Sequence, residues 1–159
     1  MNVQQKNKEK GFTIIEVVLV LAIAGLIFLM VFIALPALQR NQRDTQRKND
    51  LSRAQTALNN FQSNNRNQLP NPATGPNWNA TIREKYLKAN GDTFADPSGE
   101  DYSFNVGGTV PATFDGEAPQ VYVTVGSICA GESLTNGQGN RKVALQMKLE
   151  GGGVACVNN

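Results

Sequence analysis

A long apolar run near the N-terminus constrains this chain more than any other feature of its sequence. Between Phe12 and Leu35 the residues are apolar apart from the hydroxyl of Thr13 and the carboxylate of Glu16. As an α-helix this run is about 36 Å long, which is enough to cross a hydrocarbon core of about 30 Å. The run therefore predicts a membrane-spanning helix.

Glu16 is the costly residue of this run. A charged side chain at the centre of a bilayer costs roughly 2.5 to 3.5 kcal/mol, and less near the interface. A carboxylate kept in such a helix needs a reason. One interpretation is that Glu16 has a function. The alternative is that it has none, and that its side chain near the helix end either reaches the interface or is protonated.

The residues on either side of the run bear on its orientation and processing. Lys6, Lys8 and Lys10 favour a cytoplasmic N-terminus. Four basic residues on the other flank compete with this orientation, namely Arg40, Arg43, Arg47 and Lys48. The small-x-small sequence Ala22-Ile23-Ala24 lies in the middle of the run, so cleavage by ordinary signal peptidase is not expected. The run is expected to stay in the protein as an anchor.

Composition excludes several classes of function. The chain has 159 residues, a formal charge of +2 and no histidine. The small net charge does not suggest nucleic-acid binding, and the lack of histidine removes the commonest general base and metal ligand. No catalytic residues, no cofactor and no metal site are therefore predicted, and the chain is not expected to be an enzyme.

Two cysteines, Cys129 and Cys156, lie in the last third of the chain and do not form a C-x-x-C motif. If this part of the chain is extracytoplasmic, a disulfide between them is expected. It would close a loop of about 27 residues and contribute on the order of 3 to 4 kcal/mol. The alternative is two independent buried thiols.

The N-terminal motif carries a resemblance. The basic leader, Lys10-Gly11, the sequence Phe12-Thr13-Ile14-Ile15-Glu16 and the apolar run together resemble the class III signal of the type IV pilin family, the N-methylated pilins. The resemblance implies cleavage after Gly11 by a prepilin peptidase, methylation of the new amine of Phe12, and polymerisation through the apolar helices. Thr13 and Glu16 would then be assembly residues.

Elementary electrostatics agree with this role for Glu16. Removal of the leader exposes a cationic amine at Phe12, and methylation does not neutralise it. In a water-poor filament core, the amine of a neighbouring subunit can pair with Glu16, and an unpaired charge is costly there. The pair would therefore set the register between subunits.

Gly25 and Pro36 predict the weakest part of the long helix. Glycine lowers helix propensity, and proline removes a backbone hydrogen bond and clashes with the preceding turn. The resemblance implies that the stretch between these two residues melts in the filament. A simple proline kink is the alternative.

The helix is predicted to continue from Phe12 to about Asn65. Between residues 39 and 50 it is polar on every side, with predicted pairs Arg40–Asp44, Asp44–Lys48 and Asp50–Arg53. This basic segment is interpreted as a solvated or inter-subunit face rather than a nucleic-acid interface. An apolar stripe then follows at helical spacing: Leu51, Ala54, Leu58 and Phe61.

The remaining sequence predicts a short helix, residues 81–89, and an antiparallel sheet. The long N-terminal helix is expected to be broken by Leu69-Pro70 and a loop over residues 71–76, before the short helix begins. Three segments alternate with period two, which is typical of strands with one buried face: Tyr102, Phe104 and Val106; Val121, Val123 and Val125; Val143, Leu145, Met147 and Leu149. The turn at Asp96-Pro97 and the region between the cysteines also resemble those of pilins.

The predicted fold is α+β, with a long N-terminal α-helix packed on a small antiparallel β-sheet head. The predicted segments are a leader over 1–11, a membrane and assembly helix over 12–36, an amphipathic helix over 37–66, and a head with a C-terminal disulfide region over 67–159. The site residues expected from the sequence are Gly11 and Phe12 for cleavage and methylation, Thr13 and Glu16 for assembly, Gly25 and Pro36 for helix melting, and Cys129 with Cys156 for the disulfide.

The function expected from these features is that of a structural subunit of a type IV pilus. The resemblance implies a homopolymeric filament, a precursor in the inner or cytoplasmic membrane, and processing and assembly by the peptidase, an ATPase and a platform protein. Motility, adhesion and DNA uptake stay open, as does any DNA or host-surface ligand. The alternatives are a minor pilin or pseudopilin of a competence or secretion fibre, and a single-pass membrane-anchored binding domain.

Overall fold

A computed structural model describes residues 11–70, 78–116 and 119–159 of the chain. One long α-helix, α1 (Ile14–Asn64), precedes a short helix with π-type hydrogen bonding (Asn79–Leu87) and a 3₁₀ turn (Ala89–Gly91). The strands are β1 (Ser103–Val106), β2 (Gln120–Val125), β3 (Ser127–Ala130), β4 (Ser133–Asn136), β5 (Val143–Lys148) and β6 (Val154–Asn158). The predicted α+β class is confirmed. The predicted loop over residues 71–76 lies outside the described residues.

The chain separates into two units, one up to Leu38 and one from Gln39 onwards. In the described part of the first unit, the helix is exposed along its length, and it is long and apolar enough to cross a membrane. Helix α1 is continuous through Gly25 and Pro36 in the single chain. Melting between these residues concerns the assembled filament and stays a prediction.

The head contains a four-stranded sheet in the order β1-β2-β5-β6 and a separate hairpin of β3 with β4. Strand β5 pairs antiparallel with both neighbours, whereas β1 and β2 are parallel, with Phe104 opposite Val121. The prediction of a wholly antiparallel sheet was wrong at this pair. Alternation reports which face of a strand is buried but not the direction of its neighbour. The connection between β1 and β2 is long enough to return the chain to the same end of the sheet.

The core lies between the second half of α1 and one face of the sheet. As predicted, Leu51, Ala54 and Leu58 of α1 are buried against the sheet, and Phe61 packs at the edge of this core. Most of the residues expected from alternation are buried, namely Tyr102, Phe104, Val121, Val123, Val143, Leu145, Met147 and Leu149. The other two, Val106 and Val125, are only partly buried and pack at the edge of the core. The helix therefore packs on the sheet through the stripe read from the sequence.

Part of the core comes from the segment between α1 and the sheet, which the sequence pattern did not reveal. Trp78, Ile82, Leu87 and Phe94 are buried there. The ring centroids of Phe94 and Tyr102 are 4.9 Å apart. The short helix runs over Asn79–Leu87 rather than over residues 81–89, and its buried residues are Ile82 and Leu87.

Candidate functional site

The start of α1 brings Thr13 and Glu16 together. The Thr13 backbone N–H and hydroxyl donate to Oε2 of Glu16 at 2.9 and 2.7 Å, and the Glu16 N–H donates to Oγ1 of Thr13 at 3.4 Å. Because α1 begins at Ile14, these bonds form a capping box, in which Thr13 is the N-cap and Glu16 is the third helical residue. The carboxylate is thus held over the first turn of the helix.

This local role of Glu16 was missed in the sequence, although the T-x-x-E spacing of a capping box is present there. The residues predicted for cleavage and methylation lie immediately before the box. Phe12 is 90% exposed. A Cβ added at Gly11 or Gly25 would meet nothing within 4 Å. Contacts inside the single chain therefore do not require glycine at either position.

The two cysteines are joined in a disulfide with a Cα–Cα distance of 5.9 Å. It links β3 to β6, and the N–H of Cys129 also donates to the side chain of Asn158 at 3.2 Å. The β3–β4 hairpin belongs to a different sheet from β6. The disulfide thus ties the hairpin to the edge of the main sheet.

Replacing both Cys129 and Cys156 by serine is expected to lower the free energy of unfolding by about 3 to 4 kcal/mol. The reason is that the open chain regains the entropy that the closed loop removes from the unfolded state. Urea denaturation of the full chain in detergent measures this. Wild-type protein under reducing conditions is the control and should match the double variant. A loss below about 1 kcal/mol would contradict the expectation.

A group of buried and half-buried charges, here called the base cluster, joins α1 to two turns of the head. Its members are Arg43, Asp44, Arg47, Asp96 and Glu150. Arg47 is only 3% exposed. Its Nε and Nη2 donate to the two oxygens of Asp96 at 2.7 and 3.1 Å, and its Nη1 donates to Asp44 at 3.0 Å and Glu150 at 3.3 Å. One guanidinium therefore holds three carboxylates, two of which come from distant parts of the sequence.

Two further sets of bonds complete the base cluster. Nε of Arg43 donates to Glu150 at 2.8 Å. The carboxylate of Asp44 accepts the backbone N–H groups of Glu150 at 2.9 Å and of Gly151 at 2.7 Å. Asp44 is thus bonded to the turn that follows β5 as well as to Arg47.

The predicted charge pairs were only partly right. Asp50 and Arg53 pair at 3.0 Å. Asp44, however, pairs with Arg47, and Nε of Arg40 lies 3.9 Å from Glu150. The interpretation of this segment as a solvated or inter-subunit face was wrong for Asp44 and Arg47, which are buried within the single chain. Their partners come from residues 96 and 150, which helical spacing cannot reveal.

The base cluster shifts the pKa values of its carboxyl groups. Hydrogen bonds from Arg43, and then from Arg47, lower the pKa of Glu150 to about 2. Burial acts to raise the pKa of Asp96, but hydrogen bonds from Arg47 and from the Ser98 backbone outweigh it and hold this pKa below its usual value. Both groups therefore favour the folded state in their charged form.

Glu150→Gln is expected to reduce the acid sensitivity of the head. In the wild type, the pKa of Glu150 is lower in the folded than in the unfolded state. Its stabilisation is therefore complete above about pH 4.5 and is lost as the pH falls towards 2. The variant lacks this contribution, so its free energy of unfolding should fall less steeply over that range. Urea unfolding at several pH values measures the slope, and equal slopes would contradict the assignment.

Comparison with known proteins identifies the N-terminal segment. The family described as the prokaryotic N-terminal methylation motif matches residues 6–32. This range contains Gly11, Phe12, Thr13, Glu16 and Gly25. No curated protein and no solved structure matches the chain.

Proposed function

We propose that this chain, whose N-terminal segment is that of a type IV pilin-like prepilin, is a structural subunit of a type IV pilus. The observation that carries the proposal is the match to the methylation motif over residues 6–32, a range that includes Gly11, Phe12 and Glu16 and the start of a helix long and apolar enough to cross a membrane. The subunit waits in the inner or cytoplasmic membrane and is then polymerised into a filament on the cell surface.

The exposed apolar surface of α1 supports polymerisation. Large apolar side chains are exposed along this part of the helix, among them Leu26, Phe28 and Phe32. A surface of this size has to be covered by lipid or by protein. Lipid covers it in the precursor, and the helices of neighbouring subunits cover it in the filament.

The capping box gives the assembly step a starting geometry. Cleavage after Gly11 places the new amine on Phe12, directly before the box formed by Thr13 and Glu16. The box holds the Glu16 carboxylate at the helix start, where a cationic amine of a neighbouring subunit can reach it. Gly25 and Pro36 supply the stretch of α1 that melts when the helices pack.

The proposed role is structural and involves no catalysis by the chain. The prepilin peptidase removes residues 1–11, and an assembly ATPase and platform protein add subunits to the filament. Residues 12–36 form the assembly helix, 37–66 the amphipathic helix, and 67–159 the head. The head and its Cys129–Cys156 region are displayed outward, where motility, adhesion or DNA uptake takes place.

Mass analysis of the N-terminus tests this proposal. Protein isolated from cells should begin at N-methylated Phe12, because the peptidase cuts after Gly11. Gly11→Val is the processing control, since a side chain at the cut is expected to leave the leader in place. A mature wild-type chain that retains Met1 would overturn the proposal and favour a plain membrane anchor.

A further inference from the structure

The part of the head nearest the start of its contacts with α1 is held by charged residues, whereas the remainder of the head is held by apolar residues. The first buried residues along the helix are charged, namely Asp44, Arg47 and Asp50, and apolar burial begins only at Leu51. Arg47 and Asp44 contact the head through ion pairs and hydrogen bonds. Two kinds of attachment therefore follow each other along the helix: the base cluster first and the apolar core after it.

The head residues of the base cluster lie in turns and not in the strands. Asp96 is in a turn where its carbonyl accepts the N–H of Gly99 at 2.8 Å and its carboxylate accepts the N–H of Ser98 at 3.0 Å. Glu150 and Gly151 are in the turn after β5, beyond the last strand pair, Lys148 with Val154. These turns can leave α1 without breaking the hydrogen bonds of the main sheet.

The base cluster also borders a cleft with a volume of about 300 Å³, whose lining includes Arg43, Arg47, Asp96 and Glu150. Phe114, which is 38% exposed, lies across this cleft with its ring centroid 4.7 Å from Cζ of Arg47. Ions that separate here can be hydrated through the cleft, and this hydration offsets the lost pairing. Both arginines already bind carboxylates, which favours an internal attachment over a ligand site.

We propose that the base cluster is a latch that opens while the apolar core of the head stays folded. In the open state, the turns that carry Asp96 and Glu150 leave α1, and the core around Leu58 keeps its contacts. Such a partial opening needs less free energy than global unfolding. It frees the helix from Arg43 to Arg47, a length of about 6 Å.

The role of the latch in a filament under tension rests on the proposed function. Its opening does not, because it is a property of the single chain. In a pulled filament, tension along α1 would release the base before it reaches the core. The turns that carry Asp96 and Glu150 would then separate from α1 while the core of the head stays folded.

Amide hydrogen exchange of the full chain in detergent micelles, at low urea concentrations, tests the opening. The N–H groups of Glu150 and Gly151, which donate to Asp44, report on the latch. The N–H groups of β5, the strand paired on both sides, report on the core. The N–H groups of Glu150 and Gly151 should exchange at least about tenfold faster than those of β5. Their rates should also depend only weakly on urea, because little surface is exposed on opening.

Two variants separate the latch from the core. Leu58→Ala removes core contacts only and should speed exchange in β5 by about 30-fold or more, while the amides of Glu150 and Gly151 stay within about twofold of wild type. Arg47→Met should speed exchange of the latch amides.

The proposal is overturned if Leu58→Ala speeds both sets of amides equally, or if both sets share one urea dependence in the wild type. The second comparison needs no variant, so it decides the matter even if Leu58→Ala does not fold. Neither result depends on filament formation. A result that overturns the latch proposal therefore leaves the proposed pilus function untouched, and the reverse also holds.

Discussion

Glu16→Leu is expected to yield a subunit that is inserted in the membrane and processed but forms no filaments. The apolar helix that holds the precursor in the membrane is intact in this variant, and so are Gly11 and Phe12 at the cut. The variant lacks the carboxylate that we propose to pair with the amine of a neighbouring subunit in a water-poor core. Electron microscopy of sheared surface material, together with the mass of the N-terminus, measures both steps.

A second substitution separates the capping role of Glu16 from its charge. Glutamine can replace glutamate in a capping box, so Glu16→Gln keeps the bonds to Thr13 but cannot form an ion pair. If the charge is what assembly uses, this variant also fails to form filaments. Ile15→Leu is the matched control and should assemble normally. Normal filaments from Glu16→Leu would contradict the assigned role.

Arg47→Met is expected to lower the free energy of unfolding by about 3 to 5 kcal/mol. The substitution leaves the carboxylates of Asp44 and Asp96 buried without their cation, and an unpaired buried charge is strongly destabilising. Urea denaturation of the full chain in detergent measures the loss.

Arg40→Met is the control for this prediction. Arg40 lies on the same helix with its side chain 57% exposed, its Nε is 3.9 Å from Glu150, and such surface pairs contribute about 0 to 1 kcal/mol. A loss for Arg47→Met no larger than that of the control would show that the base cluster does not stabilise the head.

The long helix and much of the core could be predicted because their signals are local. The stripe of Leu51, Ala54 and Leu58 repeats at the period of an α-helix, and the strand residues alternate with period two. A single window of sequence contains each of these patterns. The capping box of Thr13 and Glu16 is equally local and was readable from its spacing alone.

The base cluster could not be predicted, because its parts are brought together only by the folded chain. Arg47 lies on a helix segment that is polar on every side, which is the pattern of a solvated face. Its burial depends on Asp96 and Glu150, whose turns lie 49 and 103 residues further along the chain. The parallel pairing of β1 with β2 was missed for a related reason, since pairing direction depends on the path of the connection between them.

The composition of filaments sheared from the surface of cells that make this protein tests the proposed function most directly. We expect this chain to be the main component of those filaments and to begin at N-methylated Phe12. Finding the processed chain in the membrane but absent from the filaments, or present there only in traces, would contradict the claim that it builds the pilus.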